Sequence, residues 1–540
     1  MPRARREVWA ADCETDPFKP GRIPQPFIWG AYEIYSRRYE CFGSRATFCA
    51  FFRDRKCTVY FHNGGKFDLH YLRDQFNSDE NILLINGRIT RCKIGAAEFR
   101  DSFALIPVAL GKYHKENFDY SILEENVRGL QENVEKIERY LKSDCVNLGN
   151  MLLDFFQRYG KGLTQAGVAM NYWAKNYHDN RKPRQSAAQF ERYRPYYYGG
   201  RVECFVSGYR EIPFKIVDKN SAYPHAMLSE HPIACEAMLL SKLPPDMDVP
   251  SCFITLRCQS DGALPYRLES GELVFPRDDE IRLFHITGWE FIAGLEEQAL
   301  RRIEIIEVHW FRETVNFAGY IHHFYNERKI AKCNGDKAGD LFSKLFMNSC
   351  YGGFAMNPEH YHEYMLSSVE KLGEHIEDGY QDYHPWGDGR QLLWRKLPLE
   401  AQQRMYKNIA TAASITGYVR AQLFRDLRKV RDLYYCDTDS ISAGDTSRLD
   451  IGGELGQWKV EAVCDLYAIA GKKLYAKRTL EGEWKVACKG VNLSPEEICH
   501  IAKGGTQEYH PAVPTYSITR PQPRFISRQV RLTAKTAALQ

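Results

Sequence analysis

The sequence predicts a multidomain protein that combines α/β and α+β architecture. Its length of 540 residues corresponds to three or four compact units. Its 44% hydrophobic and 26% charged residues are enough to build a large folded core. Short apolar strands that end in acidic residues recur in both halves of the chain, and helical stretches lie between them.

Positive charge is modest overall and concentrated at the C-terminus. The formal net charge is +4. Residues 511–540 contain no acidic residue and carry the basic residues Arg520, Arg524, Arg528, Arg531 and Lys535. Such a tail suits a polyanion. A solvated or disordered end is an equally good interpretation.

The composition argues against zinc, secretion and membranes. The 16 cysteines form no Cys-x-x-Cys pair, and no histidine cluster accompanies Cys252 and Cys258. The basic N-terminus lacks the apolar segment of a signal peptide. No apolar run approaches the ~18 residues of a membrane helix. We therefore expect a cytosolic protein with reduced thiols.

Two strands near the N-terminus end in polar motifs. Val8–Asp16 is an apolar strand in which Asp12 and Glu14 share one face, because side chains alternate along a strand. Cys57–Phe61 is a second strand, followed by His62-Asn63-Gly64-Gly65-Lys66-Phe67-Asp68. The alternative for this motif is an ordinary Asn-Gly turn with Asp68 as a helix cap.

A long helix is predicted over residues 122–157. Tyr140, Asp144 and Leu148 lie four residues apart on one of its faces. A carboxylate on this otherwise apolar face needs a partner, which a metal ion would supply. The alternative is a surface aspartate paired with Lys142 or Arg139.

Asp12, Glu14, Asp68 and Asp144 together form the ligand set of a two-metal hydrolase. Two Mg²⁺ ions about 3.5–4 Å apart activate a water and stabilise the leaving oxygen in such sites. Tyr140, one helical turn before Asp144, is placed to orient that water.

A second acidic constellation lies in the C-terminal half. Phe214–Asp218 is an apolar strand ending in a carboxylate, and Tyr434–Ile441 is a hairpin that carries Asp437 and Asp439. Buried carboxylates so close together repel each other, and a divalent cation with oxygen ligands relieves the repulsion. The alternatives are an exposed Asp-Thr-Asp turn and a helix-capping Asp218.

A helix over residues 344–354 is predicted to end at Gly352 and Gly353. Lys344, Asn348 and Tyr351 share one of its faces at helical spacing. A cation, an amide and a ring on one stripe can contact a triphosphate, a minor-groove edge and a nascent base pair. Upstream, Lys332 adds positive charge.

The N-terminal motifs resemble the proofreading 3′–5′ exonuclease of family B DNA polymerases. That domain carries Asp-x-Glu, Asn-x-x-x-Phe-Asp and Tyr-x-x-x-Asp in this order. The resemblance implies that Thr15, Asn63 and Phe67 hold the frayed 3′ end of a single strand, and that Ser102 is a further strand contact. The family's extra catalytic lysine corresponds to Lys112 or Lys115, between which the sequence does not choose.

The later motifs resemble the polymerase signatures of the same family. The resemblance implies that Tyr223 lies under the sugar and excludes a 2′-hydroxyl, and that Lys332 is a second triphosphate lysine beside Lys344. It also implies DNA contacts along the chain, carried by Tyr197, Gly199, Gly200, Thr416, Arg420, Lys473 and Tyr475. For the metal ligands it favours Asp218 and Asp439, with Asp437 supporting the site.

The stretches from Asp218 to Lys344 and from Asn348 to Thr416 are too long for direct connections. They resemble the two insertions of the protein-primed branch. Within that branch, the N-terminal stretches Thr15–Lys19 and His62–Asp68 look most like those of tectivirus-type phage enzymes. The implied fold is an RNase H-like exonuclease followed by a right-hand polymerase. The expected boundaries are exonuclease 1–190, palm 191–230, insertion 1 231–318, fingers 319–356, insertion 2 357–409, palm 410–490 and thumb 491–540.

The implied function is DNA-directed DNA synthesis with proofreading, begun on a terminal protein and accompanied by strand displacement. The implied cofactor is Mg²⁺, two ions per active site, with Mn²⁺ as an alternative. Expected partners are template and primer DNA, dNTPs, a terminal protein and a single-stranded DNA-binding protein. We expect a monomer in the cytoplasm of an infected bacterial host. The alternatives are a DNA-primed viral polymerase and a 3′–5′ nuclease whose C-terminal half only binds DNA.

Overall fold

The N-terminal part of the computed structural model is built on a mixed sheet; the structure describes residues 6–113, 117–243, 248–403 and 405–533. The elements of this part are β1 (Val8–Thr15), β2 (Pro26–Glu33), β3 (Tyr39–Phe42), α1 (Arg45–Arg53), β4 (Thr58–Phe61), α2 (Asp68–Tyr71), β5 (Asn81–Ile85), β6 (Arg88–Ile94), β7 (Ala97–Asp101), α3 (Leu110–Tyr113), α4 (Gln131–Tyr159), α5 (Gln165–Tyr177) and α6 (Ala187–Tyr193).

The remaining chain alternates between sheets and helices. Its first elements are β8 (Val202–Cys204), β9 (Gly208–Lys219), α7 (Ala222–Ala226), β10 (His231–Pro232), β11 (Met238–Leu240), β12 (Cys252–Ser260), β13 (Tyr266–Arg267), β14 (Leu273–Val274), β15 (Arg282–Thr287), α8 (Gly288–Glu296), β16 (Leu300–Trp310), β17 (Thr314–Val315), α9 (Ala318–Cys333) and α10 (Lys337–Phe354). They are followed by β18 (Tyr361–Ser367), α11 (Leu372–Glu377), β19 (Gln381–Pro385), β20 (Gln391–Lys396), α12 (Leu399–Gln403), α13 (Ile409–Leu427), β21 (Arg431–Asp437), β22 (Ser440–Asp445), β23 (Trp458–Gly471), β24 (Leu474–Thr479), β25 (Trp484–Cys488), α14 (Pro495–Ala502), β26 (Thr506–Tyr509) and β27 (Arg528–Arg531).

The N-terminal sheet has the order β19-β20-β18-β5-β6-β7-β4-β1-β2-β3. Strands β1, β4 and β7 are parallel, whereas β2 and β3 run antiparallel to their neighbours. The parallel pairing brings the end of β4 beside Asp12. Strands β18–β20 come from much later in the chain and extend this sheet through the pairing of β18 with β5.

A second sheet, of order β25-β24-β23-β9-β22-β21-β8, forms the centre of the C-terminal half. The predicted hairpin is observed as β21 and β22, and β22 pairs with β9 so that Ser440 lies opposite Asp218. The nearly fully buried helix α13 leads into this hairpin. The two acidic strands predicted from sequence are therefore neighbours in one sheet.

Two further units adjoin this sheet. A four-stranded sheet of order β11-β16-β12-β15 lies within residues 231–318, and its core includes Phe424 of α13. Helices α9 and α10 form a pair that packs on the N-terminal part, where Phe155 of α4 contacts Phe342 and Phe346 at 5.5 and 5.9 Å between ring centroids.

Two helix boundaries differ from the sequence prediction. The helix expected over 122–157 is α4, which begins only at Gln131; a short 3₁₀ turn over Tyr120–Leu123, capped by Asp119, precedes it. Helix α10 runs through Gly352 and Gly353 to Phe354 rather than ending at the glycines. Gly353 serves close packing, because a Cβ there would crowd Met170 of α5 at 2.9 Å.

Within the described residues, no helix is long and apolar enough to cross a membrane.

Candidate active sites

Three carboxylates meet at the end of the N-terminal sheet. Ligand oxygens of Asp12, Glu14 and Asp144 lie within 4.8 Å of one another. Burial raises the pKa of Asp12 well above its ordinary value, and the Asp68, Glu14 and Asp144 carboxylates add to the rise. Burial and the Asp144 and Asp68 carboxylates raise the pKa of Glu14 to about 8. The shared face of Asp12 and Glu14 is confirmed, and Asp144 of α4 faces it.

Asp68 lies at the margin of this cluster. Among the described residues, the three-carboxylate group does not include it. Its Oδ1 accepts a hydrogen bond from the Cys13 thiol at 3.1 Å. Burial raises the pKa of Asp68 to about 6, although the thiol lowers it. Sequence reasoning missed Cys13, because strict alternation places it away from the face of Asp12 and Glu14.

Tyr140 lies beside the cluster on α4. Its hydroxyl is 3.0 Å from that of Tyr120, and its ring stacks on Phe118 with centroids 3.9 Å apart. Burial, the Tyr120 hydrogen bond and the Asp144 carboxylate raise the pKa of Tyr140. The hydroxyl therefore stays protonated and can act as a hydrogen-bond donor.

Phe67 is the centre of an aromatic group next to the carboxylates. The edges of Phe18, Tyr71 and Tyr516 approach it at 5.4, 5.3 and 5.5 Å between ring centroids. Asn63, with φ of 64°, is exposed and accepts a 2.8 Å hydrogen bond from Arg88.

Two other predicted contacts to single-stranded DNA, Thr15 and Ser102, have buried side chains. Thr15 is 7% exposed and donates to the carbonyl of Asp16 at 3.1 Å. Ser102, a further predicted strand contact, lies in the interior. Ser102 is fully buried, and its hydroxyl donates to the Phe61 carbonyl at 3.0 Å and lies 3.0 Å from His62 Nδ1. Of the two lysine candidates, Lys112 is exposed and Lys115 lies outside the described residues.

Asp218 and Asp439 approach each other across the central sheet. The N–H of Lys219 donates to the Asp439 carbonyl at 2.7 Å, which fixes the turn of the hairpin against the end of β9. Burial and the Asp439 carboxylate raise the pKa of Asp218 to about 6, and Lys344 opposes the rise. Burial, then Asp437, raises the pKa of Asp439, and Lys473 and Lys344 oppose it.

Asp437 differs from the other two carboxylates because it has its own cation. Lys473 Nζ lies 2.9 Å from Asp437 Oδ2, and the Thr438 hydroxyl donates to Oδ1 at 3.2 Å. The geometry therefore agrees with a supporting role for Asp437.

Tyr223 and Tyr351 form a stacked pair next to these carboxylates. Their ring centroids are 4.4 Å apart and their planes differ by 7°. Lys332 and Lys344 are exposed on α9 and α10. Asn348 donates to the Lys344 carbonyl at 2.8 Å. On the stripe predicted for α10, Lys344 thus faces the carboxylates, and the Tyr351 ring faces Tyr223.

The Tyr197-Tyr198-Gly199-Gly200-Arg201 segment contacts the turn at Asp437–Asp439 directly. The N–H of Thr438 donates to the Arg201 carbonyl at 2.7 Å. A Cβ at Gly200 would collide with the Thr438 side chain, so glycine is required there. Gly199 is exposed with open space at its Cβ position, and Tyr197 is half-buried under Arg194.

The two predicted template contacts, Thr416 and Arg420, are both buried in the structure. Thr416 is 2% exposed and its hydroxyl donates to the Ala413 carbonyl at 3.1 Å within α13. Arg420 is 1% exposed and pairs with the equally buried Glu290 of α8 at 2.7 Å. It also donates to the carbonyls of Tyr198 and Gly199 at 2.6 and 2.9 Å. Both side chains are therefore engaged in contacts within the protein.

Lys473 and Tyr475 lie on the other side of the hairpin. The backbone N–H of Lys473 donates to the Tyr435 hydroxyl at 2.9 Å, and the Tyr475 ring meets the Tyr435 ring edge-on at 5.0 Å. Sequence reasoning missed Lys477, which is 2% exposed and donates to Ser442 at 2.8 Å. Burial lowers the pKa of Lys477 to about 8.

Comparison with known proteins identifies the family. The family model described as DNA polymerase type B, organellar and viral, matches residues 111–385. The DNA-directed DNA polymerase of Enterobacteria phage PRD1 is 37% identical over 517 residues, covering 92% of this chain and 89% of that protein. The chain belongs to the organellar and viral type B DNA polymerases.

Other DNA polymerases resemble the chain in part or in fold. A probable DNA polymerase of Neurospora intermedia is 34% identical over 196 residues, which are 35% of this chain and 20% of that protein. Phi29 DNA polymerase complexed with primer-template DNA superposes with a TM-score of 0.74 at 18% identity, covering 98% of this chain and 100% of that one. Phi29 DNA polymerase complexed with single-stranded DNA gives the same TM-score, 0.74. The predicted multidomain fold class, with exonuclease and polymerase regions, is confirmed.

Proposed function

We propose that this type B polymerase performs DNA-directed DNA synthesis at the Asp218 and Asp439 site. The observation that carries the proposal is the pairing of β22 with β9, which sets Ser440 opposite Asp218 and brings Asp439 to the same sheet edge. Lys344 reaches both carboxylates electrostatically, since it lowers the pKa of each. Two carboxylates and a lysine beside the stacked rings of Tyr223 and Tyr351 suit transfer of a nucleotidyl group.

The donor atoms fit a hard divalent cation. Asp218 and Asp439 in one site, and Asp12, Glu14, Asp144 and Asp68 in the other, offer only carboxylate oxygens, which Mg²⁺ prefers. Burial, and then repulsion between neighbouring carboxylates, raises the pKa values of these acids, and a bound cation would oppose both effects. We assign Mg²⁺, two ions per site, with Mn²⁺ as a substitute. The bound ions would lower the pKa of the attacking hydroxyl or water and stabilise the leaving oxygen.

The chain's own residues orient the substrates. Lys344 and Lys332 project from the helix pair and would bind the triphosphate of the incoming nucleotide. The Tyr223 ring, held flat against Tyr351, would support the sugar and leave no room for a 2′-hydroxyl. Lys473 and Tyr475 would hold the primer strand, and Tyr197 with Gly199 the template side. Contacts to the DNA backbone of this kind depend little on sequence.

We propose a second activity, 3′–5′ proofreading degradation, at Asp12, Glu14, Asp144 and Asp68. Phe67 and Asn63 would hold the frayed strand end, and Tyr140 would hold the attacking water by its hydroxyl. The Asp12→Ala, Glu14→Ala double variant should lose degradation of a labelled single strand while it still extends a primer. Persisting degradation would move the nuclease site elsewhere.

We further propose that synthesis begins on a terminal protein. Support comes from the two long stretches between polymerase motifs: residues 231–318 form a sheet of their own, and 357–409 carry β18–β20. We assign the first to terminal-protein contact, and the second to processivity and strand displacement. The other proposed divisions are exonuclease 1–190, palm 191–230 and 410–490, fingers 319–356 and thumb 491–540.

Transfer of labelled dNTP onto a candidate terminal protein tests this assignment. A covalent protein–nucleotide product is expected. Extension of DNA primers without any such product would favour a DNA-primed polymerase instead. We expect the enzyme to act as a monomer in the cytoplasm of a bacterial host, together with a single-stranded DNA-binding protein.

A further inference from the structure

A C-terminal loop reaches from the polymerase half into the exonuclease region. We call residues 510–527, which connect β26 with β27, the C-terminal arm. Thr515 and Arg524 close the arm on itself through backbone hydrogen bonds of 2.8 and 3.1 Å. A connection this long without regular structure is uncommon in a compact protein and is usually functional.

The tip of the arm is anchored in the N-terminal sheet. Ile518 is 1% exposed and belongs to the hydrophobic cluster of Leu72 and Phe76. The guanidinium of Arg73 donates to the carbonyls of Arg520 and Pro521. These contacts fix the backbone that follows Ser517 against the exonuclease region.

Tyr516, just before this anchor, contacts the aromatic group around Phe67. It is 8% exposed, and its ring meets Phe67 at 5.5 Å with planes 89° apart. Its hydroxyl lies 2.5 Å from the Tyr71 hydroxyl, which itself donates to the Pro24 carbonyl at 2.6 Å. Because the Tyr71 hydroxyl donates its only hydrogen to the Pro24 carbonyl, the Tyr516 hydroxyl is the donor to Tyr71.

The arrangement holds the Phe67 ring from two sides. Phe18 meets it from the loop after β1 at 5.4 Å, and Tyr516 meets it from the C-terminal arm. Edge-to-face aromatic pairs have a preferred geometry, so Tyr516 restricts the orientation of Phe67. A ring held in one orientation binds a nucleobase with less entropy loss than a mobile ring.

We propose that Tyr516 is a positioning residue of the exonuclease: its ring holds Phe67 ready to stack on an unpaired base at a DNA 3′ end. The inference rests on the proposed exonuclease activity and assigns part of its strand site to the last segment of the chain. It commits to the ring of Tyr516 rather than its hydroxyl as the group that acts on Phe67.

Degradation kinetics of a single-stranded oligonucleotide by the full-length protein test the proposal. Tyr516→Leu should raise KM about fivefold and change kcat less than twofold, because an aromatic pair contributes about 1 kcal/mol. Tyr516→Phe keeps the ring and should stay within about twofold of wild-type KM. Tyr509→Phe is the matched control, since Tyr509 lies in β26 away from the exonuclease region.

A double-mutant cycle separates this role from simple anchoring of the arm. In a Phe67→Leu background, Tyr516→Leu should add less than about twofold to KM, because the ring it positions is gone. The proposal is overturned if Tyr516→Leu retains wild-type KM, if Tyr516→Phe is equally impaired, or if the two effects multiply. If Tyr516→Leu fails to fold, Tyr516→Met replaces it in the same cycle.

Degradation by the wild-type protein distinguishes failure of the proposed exonuclease from failure of the proposed role of Tyr516. Absence of 3′ degradation by the wild-type protein would refute the exonuclease and this inference together. Normal wild-type degradation with an unchanged KM in Tyr516→Leu would refute only the role of Tyr516.

Discussion

Replacing Arg420 with methionine should lower the free energy of unfolding but leave the contacts between the protein and DNA phosphates unchanged. Arg420 and Glu290 are each 1% exposed and lie 2.7 Å apart. Removing one partner of such a pair leaves an uncompensated buried charge, which costs about 3–5 kcal/mol. The variant also loses the hydrogen bonds to the carbonyls of Tyr198 and Gly199.

The same two helices provide a matched control. Arg425 of α13 and Glu296 of α8 lie 2.8 Å apart, but their side chains are 19% and 54% exposed. Solvent screens this pair, so Arg425→Met should cost about 0.2–1 kcal/mol. In the Arg420→Met background, Glu290→Gln removes the buried charge. We expect it to restore at least about 1.5 kcal/mol.

Urea unfolding followed by tryptophan fluorescence measures these differences. Trp289 is a local reporter, because its indole N–H donates to Ser414 of α13 at 3.0 Å. DNA affinity measured against salt concentration is the second readout, because loss of one phosphate contact would reduce the slope by about 1. Wild-type stability together with a reduced slope in Arg420→Met would refute the buried ion pair and restore the template contact.

Three further outcomes are expected. The apparent Mg²⁺ affinity of the proposed nuclease site should rise up to about tenfold per pH unit between pH 6 and 8. The reason is that Mg²⁺ displaces a proton from Glu14, whose pKa is about 8. An apparent Mg²⁺ affinity that does not change with pH would contradict this. Ser102→Ala should cost about 1–3 kcal/mol in unfolding free energy and leave single-strand affinity within twofold. Lys473→Gln should reduce the salt slope of primer-template binding by about 1, and an unchanged slope would leave Lys473 only its ion pair with Asp437.

The raised pKa of Glu14 also fixes the pH dependence of stability without metal. Its folded-state pKa of about 8 lies above the ordinary value of 4.5, so the folded state holds the proton more tightly. The stabilising contribution is therefore complete below pH 4.5 and is lost as the pH rises through 8. Thermal unfolding in EDTA should shift to lower temperature over this range, and Mg²⁺ should reverse the shift.

The sequence was sufficient to predict the strands that carry the acidic residues and most of the acidic geometry. Alternation along β1 fixes the shared face of Asp12 and Glu14, and helical spacing fixes that of Tyr140 and Asp144. These are local rules, and the structure follows them. The neighbouring positions of Asp218 and Asp439 required the resemblance to a family, because strand order is not a local property.

The sequence did not predict burial that depends on distant segments. Ser102, Thr416 and Arg420 carry polar side chains typical of DNA contacts, yet long-range packing places them in the interior. Glu290, from another unit, is the buried ion-pair partner of Arg420. A Thr-x-x-Glu capping box at Thr287 was the signal available for Glu290, but it predicts a helix start and not a partner. The contact between Tyr516 and Phe67 likewise joins opposite ends of the chain.

Primer extension by Asp439→Ala tests the central assignment most directly. Residues that merely support metal ligands are worth about 10–100-fold, so loss of a direct ligand should reduce synthesis by more than 100-fold. Asp445→Ala, at the half-buried far end of β22 in the same hairpin, is the control and should retain synthesis. We expect a folded, DNA-binding Asp439→Ala protein that does not extend a primer. Wild-type extension by that variant would contradict the assignment of Asp439 as a metal ligand.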